Sequence, residues 1–367
     1  QSKNHTEPKP LWRFWEVEEV PNKPIKNFED SFCEEIYTKT TLRLPNGRYQ
    51  VDLPFRNTQI ELGNSRHVAM AQFLRNEKNL LKKPELKDEY HNVLTEYIDL
   101  GHMKHIPYNP HSSSTNYYYL PHHAVVKLDR VTTKVRVVFN ASSKTSNGNS
   151  LNDALYIGPT LQQDLVVLML KWRFYKIVFN ADITKMYRQI LLNTTHTPFQ
   201  RILFRKSVNE PIKDYELQTV TFGVNCAPYL AIRTLHELAK DVQTTHPIAS
   251  QILKNHMYVD DVLAGIHTLN DAKKAQMELI IVLESAGFPL RKWISNTADL
   301  LTHLPKDHLL DADLLTLPES NNAKTLGIRW NAKEDVFFFN VPLIDRKSGY
   351  TKRTVLSDIA RLFDPAG

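Results

Sequence analysis

The sequence predicts an α+β fold, a mostly antiparallel sheet with helices packed on one face. Two observations carry that expectation. From about residue 151 onward, stretches of helical periodicity alternate with short runs rich in β-branched and aromatic residues. The 367-residue chain is 42% hydrophobic and 23% charged, which gives it the material for a full core and two or three subdomains.

The elements follow in order. Residues 1–30 are rich in proline and charge and read as a linker or docking arm, with "LWRFWEVEEV" embedded. "RLPNGRYQVDLPF" sets Asn46-Gly47 between two alternating runs, a hairpin signal. Two helices broken at Pro84 come next. In the second, Leu86, Tyr90, Val93, Leu94, Tyr97 and Ile98 fall at helical spacing, and Gly101 stops it. "HAVVKL" and "KVRVVFNAS" read as a second hairpin. A helix over "LQQDLVVLMLKWRFY" leads to strands "KIVFNADI", "RQILL", "RILFR" and "YELQTVTF". A long helix begins near Ala227, and another runs from an Asn270 cap to Gly287. Strands "PLRKW", "LGIRW" and "VFFFNV" precede the start of a helix at "VLSDIARLFD".

Composition removes several classes. No run of about 18 apolar residues is present, so no membrane span is expected. Cys33 and Cys226 are the only cysteines; they make no disulfide framework and fit a reducing, intracellular setting. Fifteen histidines suggest metal binding, yet neither HExxH nor a Cys/His cluster at zinc spacing occurs, and His122–His123 alone makes no zinc site. The opening "QSKNHTEPKP" is neither an initiator Met nor a signal peptide, as expected of a piece of a longer polyprotein. Net charge is +6, but residues 101–150 carry six Lys or Arg against the single acid Asp129, with aromatics interleaved in "NYYYLPHH". Such density suits a phosphate or nucleic-acid surface; a solvated basic face is the plain alternative.

One stretch poses a physical problem. "HMYVDDVLAG" places Asp260 beside Asp261 inside an apolar, strand-like run. In a regular strand their side chains would point to opposite faces, and each would be costly to bury ionised and unpaired. A hairpin tip resolves the conflict, either as a solvated turn or as a pair of carboxylates presented to a cation. A third carboxylate, Asp182, closes the apolar strand of "VFNADITKMYRQI" 78 residues earlier. Alone it would read as a strand end or helix cap. Three aspartates on neighbouring strand ends can instead hold two Mg²⁺ ions, which favour carboxylate, water and phosphate oxygens and support in-line phosphoryl displacement.

The sequence resembles the reverse transcriptase of Pao-type (BEL/Pao) LTR retrotransposons along nearly its whole length. The stretches that carry the resemblance are "RFWE", "RLPNGRY", "DLGHM", "LPHHAVVK", "KVRVVFNAS", "SLNDALYIGP", "ADITKMYRQI", "FGVNCAPYLAIRTLHELA", "YVDDVLAG", "GFPLRKWISN", "KTLGIRW" and "LSDIARLFDPAG". The resemblance implies a right-hand polymerase. Residues 1–30 would be an arm, 31–100 an N-terminal extension, 101–175 fingers and 176–345 palm, with part of the fingers near 196–222. Residues 346–367 would be the truncated start of a thumb. It implies RNA-directed DNA polymerase activity on an RNA or DNA template with a primer and deoxynucleoside triphosphates. Two Mg²⁺ ions, or Mn²⁺, would be the cofactors. Protease, ribonuclease H and integrase segments of the same polyprotein would lie outside this chain. The setting would be intracellular, in the cytoplasm or a virus-like particle.

The resemblance also implies residue roles. Asp182 and Asp260 would be the principal metal ligands, with Asp261 beside them and the backbone carbonyl of Ile183 a further ligand. Tyr187 would crowd the 2′ position of the sugar and so select deoxynucleotides; its plain alternative is a core aromatic. Lys127 and Arg136 would clamp the triphosphate, Arg bidentately and Lys as a point charge. Phe222 and Gly223 would pack against the nucleotide and template base. Lys292 would protonate pyrophosphate, or else be a surface lysine. Leu326 and Gly327 would position the primer end. Asn140 departs from the family, which has Asp there, with little consequence expected for the chemistry. Two rivals stand beside this reading. An RNA-dependent RNA polymerase is disfavoured by Tyr187 and by YVDD in place of GDD. A catalytically silent nucleic-acid-binding remnant is disfavoured by the three intact aspartates.

Overall fold

The structure, a computed structural model, describes residues 27–56, 62–107, 116–126, 135–310, 314–316, 329–338 and 351–359. Helix α1 (Phe28–Thr40) begins where the Asn27 side chain accepts the Glu29 N–H, so the predicted arm gives way to a helix by residue 28. The α1 helix is bound to a distant element: Tyr37 donates to Thr234, and Glu34 pairs with Arg233 at 2.9 Å. Strands β1 (Leu42–Arg43) and β2 (Tyr49–Val51) form the predicted hairpin. Gly47 in its turn has φ +85°, and a Cβ there would lie 1.8 Å from the Ser285 carbonyl oxygen, so both conformation and contact demand glycine.

Helices α2 (Arg66–Leu80) and α3 (Pro84–Asp99) meet at the predicted break, with Pro84 opening the second. Strand β3 (Met103–Ile106) follows, then the basic hairpin of β4 (His122–Val126) and β5 (Val135–Phe139). After the single turn α4 (Leu151–Ala154) comes α5 (Leu165–Arg173). The α5 helix is shorter than predicted because Asp164 caps it, accepting the N–H groups of Val166 and Val167. Strand β6 (Ile177–Ile183) is as predicted, whereas "RQILL" is not one strand. Arg188 and Gln189 belong to the turn α6 (Met186–Gln189), and only β7 (Leu191–Leu192) is extended.

Strands β8 (Arg201–Phe204) and β9 (Lys213–Leu217) pair with each other, and β3 adds to β9. Helix α7 (Ala227–Asp241) is the long predicted one; α8 (Pro247–Asn255) was not predicted, although Pro247 at its first turn is a start signal. Strands β10 (Met257–Tyr258) and β11 (Asp261–Ile266) make the central hairpin. Helix α9 (Leu269–Ser285) is capped by Thr268, which accepts the Asp271 N–H, rather than by the predicted Asn270. Strand β12 (Leu290–Ser295), the small sheet β13 (Leu314–Thr316), β14 (Arg329–Asn331) and β15 (Val336–Phe338), and helix α10 (Lys352–Ile359) complete the described elements.

The central sheet has the order β10-β11-β6-β12, antiparallel throughout. Alternation along β6 sends Ile177, Phe179, Ala181 and Ile183 into the main core, where α7, α8 and α9 supply the partners. Val178 points the other way and joins Leu263 and Ile294 in a second cluster with Leu165, Leu168 and Trp172 of α5 and with Trp330. The sheet is therefore covered on both faces, not on one as predicted. The two histidines of His122–His123 part company in this packing. His122 is buried between Tyr90 and the Leu203 carbonyl, and His123 lies on the opposite face of β4. Among the described residues no helix is long and apolar enough to cross a membrane.

Candidate active site

The second sheet face is where the aspartates emerge. On β6 the sequence Val178, Asn180, Asp182 shares one face, and the antiparallel register sets Asp261 directly opposite Asp182 and Leu263 opposite Asn180. Helix α5 covers the Val178 and Leu263 end of this face, and the Asp182–Asp261 pair lies beyond it. Between Tyr258 and Asp261 the chain turns in two residues, Val259 and Asp260. The hairpin tip thus frees Asp260 from strand alternation, the condition the sequence demanded. The Ile183 N–H donates to the Asp260 carbonyl at 2.7 Å, so the tip is anchored to the end of β6.

Charge at this cluster is strongly unbalanced. Burial first, then the Asp260 and Asp182 carboxylates, push the Asp261 pKa well above the ordinary range, and Lys292 and a hydrogen bond from Asn180 offset this only in part. Lys292 is the local cation, its Nζ 3.0 Å from Asp182 Oδ2. It gets there through a β-bulge. Arg291 pairs with Asp182 and Ile294 with Asn180, so β12 spends one extra residue, and Lys292 takes φ +55°.

Tyr187 follows on α6, buried to 5% exposure, with its ring 4.1 Å from that of Phe222. Burial raises its phenol pKa, and the nearby Asp260 charge adds to the effect. Phe222 itself is half exposed. Gly223, at φ +95°, is likewise required: a Cβ would lie 2.1 Å from the Phe139 carbonyl oxygen, so the Phe222 loop can sit directly on the end of β5. Asn152 donates to the Gly223 carbonyl and fixes that loop. Arg136 projects from the exposed face of the same β5 strand. Asn140 accepts the Ser142 N–H in a turn and takes no part in the aspartate cluster.

The structure therefore brings together Asp182, Ile183, Asp260, Asp261, Lys292, Tyr187 and, through Tyr187, Phe222 and Gly223. Lys127, Leu326 and Gly327 lie outside the described residues. Sequence reasoning missed Asn180, a polar residue visible within the apolar run "VFNADI". It also missed Arg188, fully buried behind Tyr187. The Arg188 guanidinium stacks 4.5 Å from the Tyr97 ring and donates to Thr219 and Thr221, which flank the Phe222 loop.

Among the described residues no three His, Cys, Asp or Glu side chains form a ready-made metal cage. Magnesium does not need one. It keeps several waters and takes one or two carboxylates with substrate phosphates, and a mutually repelling, partly buried aspartate group is the donor set it suits.

Comparison with known families identifies the segment that carries this site. Residues 122–293 match the family model described as reverse transcriptase (RNA-dependent DNA polymerase). Over that segment, under half of the chain, the sequence is similar to reverse transcriptases. The matched segment contains the basic hairpin, all three aspartates, Tyr187, Phe222, Gly223 and Lys292. The chain is also similar to two solved structures. One is the foamy viral protease-reverse transcriptase dRH in complex with double-stranded DNA, at 16% identity and a TM-score of 0.41, covering 55% of this chain and 30% of that one. The other is a prototype foamy virus protease-reverse transcriptase CSH mutant, at 17% identity and a TM-score of 0.42, covering 57% of this chain and 24% of that one. The chain thus spans under a third of either. No curated protein matches the chain.

Proposed function

We propose that the chain is the polymerising part of a Pao-type retrotransposon reverse transcriptase, extending a primer on an RNA or DNA template with deoxynucleoside triphosphates. The observation that carries this is the aspartate group: Asp182 facing Asp261 in register, and Asp260 at the adjoining hairpin tip, within the segment that matches the reverse transcriptase family model. In this reading the hairpin of β4 and β5 belongs to the fingers and the four-stranded sheet to the palm. Asp182, Asp260 and Asp261, with the Ile183 carbonyl, would hold two Mg²⁺ ions. Bound there, magnesium supplies electrostatic stabilisation of an in-line phosphoryl displacement.

The chain's own residues do the rest. The primer 3′-hydroxyl gives its proton to solvent water as its oxygen bonds to the α-phosphorus and the bond to the pyrophosphate oxygen breaks. Lys292, held at Asp182 by the bulge, is the ammonium available to the departing pyrophosphate. Tyr187, buttressed by Phe222, walls the sugar pocket next to Asp260 and excludes a 2′-hydroxyl by contact. Arg136, and Lys127 beyond the described residues, would meet the triphosphate from the basic hairpin.

Extension of a DNA primer on RNA and DNA templates, with deoxy- or ribonucleotides and with or without Mg²⁺, tests the proposal. Magnesium-dependent DNA synthesis on RNA is expected, and Asp260→Asn should reduce it by roughly a thousandfold or more, the equivalent of several kcal/mol of transition-state stabilisation. Nucleic-acid binding should persist in that variant, because phosphate contacts carry the affinity. Synthesis by Asp260→Asn at the wild-type rate, or none by the wild type, would overturn the assignment.

A further inference from the structure

The tip that presents Asp260 is built from a residue poorly suited to it. Val259 has φ +53°, a left-handed conformation that is unfavourable for a β-branched side chain and persists only where its surroundings hold it. What holds it comes from nearly a hundred residues earlier. Gln162 Oε1 accepts the Val259 N–H at 2.8 Å, and Gln162 Nε2 donates to the Met257 carbonyl at 3.2 Å. One amide thus bridges the last strand residues and the turn of the hairpin. Its neighbour Gln163 donates to the Lys254 carbonyl at the end of α8, just before β10, and accepts from Lys171 on α5. Gln162 is delivered there by helix capping: Asp164 starts α5 at Leu165, leaving residues 162 and 163 outside the helix and hydrogen-bonded to the hairpin and the end of α8.

We infer that Gln162 is a positioning residue for the nucleotidyl-transfer reaction, fixing the Val259–Asp260 turn so that Asp260 stands beside Asp182; this rests on the polymerase reading of the site. The chemistry of the contact explains why a glutamine is there. The hairpin offers one N–H and one carbonyl, and only a neutral amide of this length has an acceptor and a donor to match both. A glutamate would keep the first bond, lose the second by facing one oxygen with another, and add negative charge to a cluster already short of cations. The other side of the tip is tied by the bond from Ile183 to the Asp260 carbonyl, so Gln162 and Ile183 grip the turn from opposite ends. Neither bond touches substrate.

The test compares Gln162→Ala, Gln162→Glu and Val259→Gly, alone and combined, in magnesium-dependent primer extension. Small displacements of catalytic groups are costly, so Gln162→Ala should lower kcat roughly 10- to 100-fold, with KM for the deoxynucleotide, template–primer affinity and Tm near wild type. Gln162→Glu should be no better than Gln162→Ala. Glycine tolerates φ +53° without being held, so in the Val259→Gly background the penalty of Gln162→Ala should largely disappear. Hydrogen exchange at the Val259 amide should accelerate in Gln162→Ala. Wild-type kcat in Gln162→Ala, or a kcat loss undiminished in the Val259→Gly background, would overturn the inference. If the wild type itself does not polymerise, the polymerase reading fails, and the positioning inference fails with it even where amide exchange reports the contact.

Discussion

At Asp261 like charge and burial act in the same direction, with Asp182 facing it across the strands and Asp260 next in sequence. Removing one negative charge should therefore stabilise the metal-free protein. We expect Asp261→Asn to raise Tm in EDTA at neutral pH and to abolish most of the Tm increase that Mg²⁺ gives the wild type, since a ligand stabilises only the state that binds it. A magnesium-induced shift equal in both proteins would place the ion elsewhere. Tyr187 tests the sugar pocket at the same scale. Tyr187→Val should raise ribonucleotide use relative to deoxyribonucleotide use by roughly 10- to 100-fold, the scale of discrimination that a pocket wall worth about 1–3 kcal/mol provides. Steady-state kinetics with both nucleotide types measures it. A fall in Tm at unchanged selectivity would mean that the ring only fills the core against Phe222.

Among the elements, β12 shows how local irregularity serves the site. Its bulge turns Lys292 to Asp182 at the cost of a left-handed lysine. The two contributions separate in a pair of variants. Lys292→Gly and Lys292→Ala both lose the ammonium and should both slow extension, yet the glycine protein should be the more stable by about 1 kcal/mol, because only glycine adopts φ +55° without strain. Equal stability in urea melts would mean that the backbone relaxes freely there. Helix α5 has a comparable dependence on one residue. Asp164→Ala removes the acceptor of two N–H groups and should cost about 1 kcal/mol. Because α5 packs beneath β10 and β11, that loss should also loosen the hairpin tip, visible as faster amide exchange at Val259.

For the molecule as a whole, buried histidines make stability acid-sensitive, and His122 is one of the two lowered furthest, with His102. His122 lies between the Tyr90 hydroxyl and the Leu203 carbonyl, packed against Phe73 and Phe139, with His123 beside it in sequence. Burial lowers its pKa from 6.5 to about 4. The folded state therefore resists a proton that the unfolded chain accepts. Stability from this group is complete above pH 6.5 and is lost as pH falls toward 4, on the order of 3 kcal/mol in full. Urea melts from pH 7.5 to 4.5 should show that slope, and His122→Gln should reduce it while the share of His102, also lowered to about 4 by burial, remains. An unchanged slope would assign the acid sensitivity to other groups.

Much of this organisation was legible in the sequence for a local reason. Strand β6, the hairpin at Asn46-Gly47, the break at Pro84 and the turn inside "YVDD" follow from side-chain period, turn chemistry and the cost of burying charge, which act over a few residues. The aspartates were found because a carboxylate in an apolar strand needs an explanation wherever it occurs. The lost boundaries are also local in cause. Thr268 took the α9 cap from Asn270, a neighbour of similar propensity, Asp164 starts α5 later than Leu161, and the first two residues of "RQILL" lie in the turn α6. Other features had no local signature at all. That Asp182 meets Asp261 is a matter of antiparallel register, that Lys292 reaches Asp182 depends on a one-residue bulge, and that Gln162 holds Val259 depends on α5 packing under the hairpin. The sequence by itself determined which residues could do the chemistry. Tertiary structure alone decided which of them meet, because contacts across about a hundred residues are set by how sheets and helices pack and not by any pattern along the chain.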